Sequence, residues 1–158
     1  MLQAAVATGV GDVYVIEPRD TRRGRAEKLG ATETVAPAER DPVQFVSAAT
    51  GGGVNVAFNA AGTETTMTQA MRVLKKAGTV SIVSFFGREV QFNPDLVMIA
   101  EWDVVGSFGY ASGPLSRRDE FAATIGMLRD GRLNARSLVM KRVSPGGGDR
   151  RLSGASRF

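Results

Sequence analysis

Few side chains in this sequence are equipped for chemistry: it has neither cysteine nor histidine. That composition excludes disulfides, a thiolate nucleophile, an imidazole base and the tetrahedral zinc sites built from those ligands. Carboxylates remain. Glu101, Asp103, Asp119 and Glu120 could suggest an acid–base pair, but they fall at helix and strand boundaries, where capping and solvation account for them. Glu17 has a different setting, closing the apolar run Val13-Tyr14-Val15-Ile16 ahead of Pro18. The basic residues that follow, Arg19, Arg22, Arg23 and Arg25, read equally well as one solvated helix face. Gly9-Val10-Gly11 comes nearest to a phosphate-cradling loop, yet it precedes a strand instead of opening a helix, and Tyr14 stands where a third glycine is needed. A plain helix-to-strand turn is the better reading.

The elements that must position these residues follow from periodicity and caps. Leu2 to Thr8 reads as one or two turns of helix stopped at Gly9, and Asp12 to Ile16 as a buried strand. Asp20 or Thr21 can cap a helix through Leu29 that Gly30 ends, and Thr34-Val35-Ala36 forms a short strand closed by Pro37. Asp41-Pro42 opens a third helix, with Asp41 as N-cap and proline in the first turn, running to Gly51-Gly52-Gly53. Val54 to Asn59 is the next strand. Thr63 to Leu74 is a helix with Met67, Ala70, Met71 and Leu74 on one face, and Ala77-Gly78 turns it into a strand from Thr79 to Ser84. Asn93-Pro94 leads to a short helix near Asp95 to Ala100. A strand from Asp103 to Phe108 and a helix from Asp119 to Arg129 come next, then an alternating extended segment from Ser137 to Ser144. Strands alternating with helices predict a parallel sheet covered by helices.

Length and charge narrow the class. The 158 residues, 43% of them hydrophobic, suffice for one domain with a real core but not for two. Apolar stretches such as Val80 to Phe86 are far shorter than the roughly 20 residues that cross a bilayer, and the amino end lacks a basic leader. The expectation is a cytoplasmic protein with no membrane partner. Of the net charge of +4, half sits in the last fourteen residues, as Arg150, Arg151 and Arg157 against Asp149. No basic cluster interleaved with aromatics appears elsewhere, so nucleic acid is not an expected partner.

Four stretches, taken in order, carry a family resemblance. Val13-Tyr14-Val15-Ile16-Glu17-Pro18 with Arg22 and Lys28-Leu29-Gly30-Ala31-Thr32-Glu33 begins it, and Gly51 to Gly62 continues it. Ala70 to Val80 and Val105-Gly106-Ser107-Phe108-Gly109-Tyr110 complete it. The set resembles the cofactor domain of zinc-dependent alcohol, sorbitol and threonine dehydrogenases across about residues 1–144. Leu138 to Val143 resembles the strand by which such a chain returns to its catalytic domain, and the likeness ends there. The family's Gly-rich fingerprint and its Cys, His and Glu zinc ligands have no counterpart in this sequence.

The resemblance implies an α/β, Rossmann-like, three-layer and mostly parallel sheet lacking its first strand. In the complete fold that strand is central, so its loss predicts either a gap or a direct pairing between Val13–Ile16 and Val54–Asn59. It implies residues 1–136 as an incomplete dinucleotide-binding domain, 137–144 as a remnant of the return strand and 145–158 as a disordered tail. The Arg, Gly and Ser bias of that tail suggests a truncated or frameshifted gene product. It also implies NAD as cofactor, bound weakly or lost here, and no zinc. Glu17 would accept the adenosine ribose hydroxyls with Arg22 beside the same sugar, and Ala60, Ala61 and Gly62 would let the cofactor lie against backbone. Phe85, Phe86, Ser107 and Phe108 would surround the nicotinamide, although an aromatic pair at a strand end can equally be core. A homodimer is implied through the strand 103–108, where proline at Val105 should remove a ladder donor if its N–H faces the partner, within a proline scan from Val104 to Ser107. The functional reading is the NAD-binding part of a zinc-type alcohol or polyol dehydrogenase, not catalytic alone. The alternatives are a stand-alone nucleotide-binding or interaction module, or an inert truncated product.

Overall fold

The computed structural model describes residues 1–108 and 120–139. Along the chain run α1 (Leu2–Ala7), β1 (Tyr14–Ile16), α2 (Asp20–Lys28), β2 (Glu33–Val35), α3 (Pro42–Thr50) and β3 (Val54–Asn59). There follow α4 (Glu64–Arg72), β4 (Leu74–Ile82), α5 (Pro94–Ala100), β5 (Asp103–Gly106) and α6 (Glu120–Arg129). Every described strand pairing is parallel, giving the expected α/β, Rossmann-like fold.

Local chemistry sets the boundaries. The Asp41 carboxylate accepts the N–H groups of Val43 (2.8 Å) and Gln44 (2.9 Å), with Pro42 in the first turn, and Gly51 ends α3 at φ +68°. Thr63 and Thr66 cap α4 reciprocally. The methionine face of α4 is the core: Met67, Ala70 and Met71 pack with Leu74, Val80, Ala57 and Val46. The cap of α2 departs from expectation. Arg19 is its N-cap and makes no side-chain cap bond, because Asp20 already lies in the first turn and pairs with Arg23.

Between the two outcomes foreseen for the centre of the sheet, the strands do not pair directly. β1 and β2 form one sheet, in register Tyr14 to Glu33 and Ile16 to Val35, while β3, β4 and β5 form another. α3 joins them: the Phe45 ring meets Tyr14 of β1 edge-on at 6.2 Å, and both residues pack against the core cluster that Val46 and Ala57 of β3 belong to. The N-terminal α1 is tied to the far end of the described chain. Gln3 bonds both backbone groups of Asn134, and Arg132 donates to the Ala7 carbonyl.

Two expectations are corrected by the structure. β4 begins at Leu74 rather than Thr79, since Leu74 pairs with Val54 before a bulge at which Ala77 takes φ +57°. Residues Arg136–Leu138 form a 3₁₀ turn instead of extended chain. The cause is local: Asn134 Oδ1 accepts the Ser137 N–H, and the Ser137 hydroxyl donates back to the Asn134 carbonyl. Asp119, the rest of the segment to Ser144 and the tail 145–158 lie outside the described residues. The direction of the β5 ladder answers the condition attached to Val105. Ser107 donates its N–H to Ile82 of β4, so by strand alternation the Val105 N–H also faces β4. The donors on the free edge are Val104 and Gly106.

Candidate functional site

A parallel fold delivers its loops to the carboxyl ends of the strands, and there the nine predicted site residues collect in two groups. The first lies after β1. Glu17 is pinned through its own N–H to the Val35 carbonyl at 3.0 Å, so its position is fixed by the β1–β2 ladder. Its carboxylate accepts the Arg19 N–H at 3.0 Å and stands 3.7 Å from the Arg22 guanidinium. The Glu17 side chain is 19% exposed and that of Arg22 48%, which presents an open guanidinium above a sheltered carboxylate.

The four arginines are therefore not one solvated face. Arg23, which sequence reasoning did not single out, folds beneath the turn, donating to the Glu17 and Pro18 carbonyls at 3.0 Å and to Asp20 at 2.5 Å. It holds the loop that carries Glu17. The only signal for it in the sequence is a basic residue three positions after Asp20, which any exposed i,i+3 pair would also give.

The second group spans the ends of β3, β4 and β5. Ala60 and Ala61 are exposed, and Gly62 turns the chain at φ +66° with its missing Cβ directed at the Phe85 carbonyl. Phe85 is 83% exposed and meets Phe108, 70% exposed, in an edge-to-face pair at 5.6 Å. Phe86 points the other way and packs against the core, so the bland reading holds for that member of the pair. Ser107 has already spent its N–H on Ile82, which leaves its carbonyl and hydroxyl for any ligand. Sequence reasoning missed Asn59 and Ser84, whose side chains bond to each other beneath this turn.

A depression lined by Met71, Arg72, Phe92 and Leu96 contains none of the predicted residues, and Arg72 is the one charged side chain in its lining. Among the described residues no group of three or more carboxylates could hold a metal ion. No described helix is long and apolar enough to cross a membrane.

Comparison with known proteins decides the family. The sequence profile of the zinc-binding dehydrogenases matches residues 1–130. The chain belongs to that family. Among its relatives, the (R,R)-butanediol dehydrogenase of Bacillus subtilis is 32% identical over 143 residues, covering 90% of this chain and 39% of that enzyme. The crystal structure of the B. subtilis 2R,3R-butanediol dehydrogenase superposes with a TM-score of 0.79 at 34% identity, over 88% of this chain and 38% of that one. A crystal structure from Sinorhizobium meliloti, assigned to the zinc-binding dehydrogenases and bound to NADP, gives a TM-score of 0.73 at 26% identity, over 92% and 46% of the two chains. This zinc-binding dehydrogenase chain thus spans well under half the length of the relatives it matches. Its own residues do not fit the metal of the family's name. The sequence has no cysteine or histidine, and among the described residues no group of three or more acidic side chains could hold a metal ion, so the described residues offer no ligand set for zinc.

Proposed function

We propose that this chain is the NAD-binding part of a zinc-type alcohol or polyol dehydrogenase and is not catalytic alone. The reading is carried by the Glu17 carboxylate, held at the end of a parallel strand by the Arg19 N–H with Arg22 alongside. In a doubly wound fold an acid at that place accepts the adenosine ribose hydroxyls and repels a 2′-phosphate. Arg22 reaches over the same sugar. The backbone of the Ala60-Ala61-Gly62 turn and the exposed Phe85–Phe108 pair supply a second surface, suited to an aromatic ring. When bound, the nicotinamide would accept or donate a hydride, and these residues would only hold and orient it. The sequence has no G-x-G-x-x-G fingerprint to cradle a pyrophosphate, which supports weak binding by this chain alone. We propose further that two copies pair through β5.

A preference for NADP is the competing reading, favoured by the NADP-bound relative and by the open guanidinium of Arg22. Titration with NADH and NADPH, followed by nicotinamide fluorescence and calorimetry, separates the two. NADH should bind the tighter, and Glu17→Gln should narrow the NADH-to-NADPH ratio by about tenfold, or about 1.4 kcal/mol. No saturable NADH signal, or a wild-type preference for NADPH, overturns the reading.

A further inference from the structure

Asn59 is 2% exposed, the most deeply buried polar residue described, and its side chain has a partner on every side. Its Oδ1 accepts the Gly62 N–H at 3.1 Å and the Ser84 hydroxyl at 3.0 Å. Its Nδ2 faces Thr66 Oγ1 at 3.3 Å and Met67 Sδ at 4.0 Å. The orientation of the amide is not arbitrary: the Gly62 N–H can only donate, so the atom it meets must be the oxygen. The Asn59 main chain joins in, its carbonyl accepting the Val83 N–H at 3.0 Å and the Ser84 hydroxyl at 3.1 Å.

One side chain therefore ties together three pieces of the second surface: the turn after β3, the first turn of α4 and the segment that leaves β4 toward Phe85. Gly62 makes the clamp close, since a Cβ there would lie 2.3 Å from the Phe85 carbonyl oxygen. We propose that Asn59 is a positioning residue that sets the β3–α4 turn against the Phe85 segment, and so shapes the nicotinamide half of the cofactor surface without touching the cofactor. The proposal rests on the cofactor reading above. Because Glu17 stands on the other sheet, outside this hydrogen-bonded group, the clamp governs one end of the dinucleotide and not the other.

The experiment uses the whole chain and two ligands, NADH and ADP-ribose, which lacks the nicotinamide. Asn59→Ala should weaken NADH about tenfold while leaving ADP-ribose affinity unchanged. Asn59→Asp, which keeps an oxygen facing Gly62 and Ser84, should restore most of the loss and serves equally if the alanine variant does not fold. Equal losses for both ligands would mean a merely structural role, and an alanine or aspartate variant that binds NADH as the wild type does, respectively still fails to, overturns the proposal. Amide hydrogen exchange keeps the two readings apart. If the wild type binds neither ligand the cofactor reading falls, and faster exchange at Gly62 but not at Val80 in Asn59→Ala supports the clamp, whereas unchanged exchange removes it.

Discussion

Gly62 combines a left-handed backbone, φ +66°, with a neighbour so close that a Cβ would come 2.3 Å from the Phe85 carbonyl oxygen. Either fact alone disfavours a side chain, and together they require the turn after β3 to open or the Phe85 segment to retreat. Gly62→Ala should destabilise the fold by about 1–3 kcal/mol, the range for forcing extra atoms into a filled space. Chemical denaturation gives the measurement, and a variant as stable as the wild type would show that the turn is looser than described. At this scale the sequence announced some residues and hid others. Glu17 drew notice through the family resemblance, since a carboxylate before a proline turn can equally be a solvated one, and its place at the end of β1 was legible from the apolar run before it. Asn59 was not, since an asparagine closing a strand reads as a turn residue, and only the fold shows its amide enclosed. Phe85 and Phe86 could not be separated by type; both follow the end of β4, and only the structure shows Phe85 exposed and Phe86 packed against the core.

Among the elements, α3 carries more than its nine residues suggest, for it is the helix that spans the two sheets. Its Val46 is 2% exposed in the main core and its Phe45 meets Tyr14 of β1. The Asp41 cap fixes where that helix starts. Asp41→Ala should cost about 0.5–2 kcal/mol, the range for losing such a cap, and because α3 serves both sheets the loss should appear in probes of either one. Denaturation followed by the ring resonances of Tyr14 in nuclear magnetic resonance and by far-ultraviolet dichroism tests this, and a change confined to helix content would contradict the bridging role. Helices with explicit caps were legible from the sequence within a residue or two, as α3 and α4 show. The misses arose where side chains or distant strands took over. Leu74 joined β4 because Val54 was there to receive it, and Ser137 turned because Asn134 offered two local bonds.

For the molecule as a whole, the exposed edge of β5 matters most. β5 is last in the order β3-β4-β5, all four of its residues are exposed, and Val104 and Val105 are 40% and 43% accessible. It has no proline or lysine to deter pairing, so its outward N–H and C=O groups form a template that an added strand can satisfy. A second copy related by a twofold axis buries the same strand on both chains and uses up the β5 edge of each, whereas a head-to-tail contact leaves it open to further addition. The test must respect the direction of the ladder. Val105 faces its donor toward β4, so proline there breaks the sheet itself; Val104 faces outward, and Val104→Pro removes an intersubunit donor while sparing the β4 pairing. Sedimentation at micromolar concentration should show a wild-type dimer, a Val104→Pro chain shifted toward folded monomer, and a Val105→Pro chain that loses stability as well. A wild-type chain that is a folded monomer, or a dimer indifferent to Val104→Pro, would show that β5 is an edge the protein leaves bare.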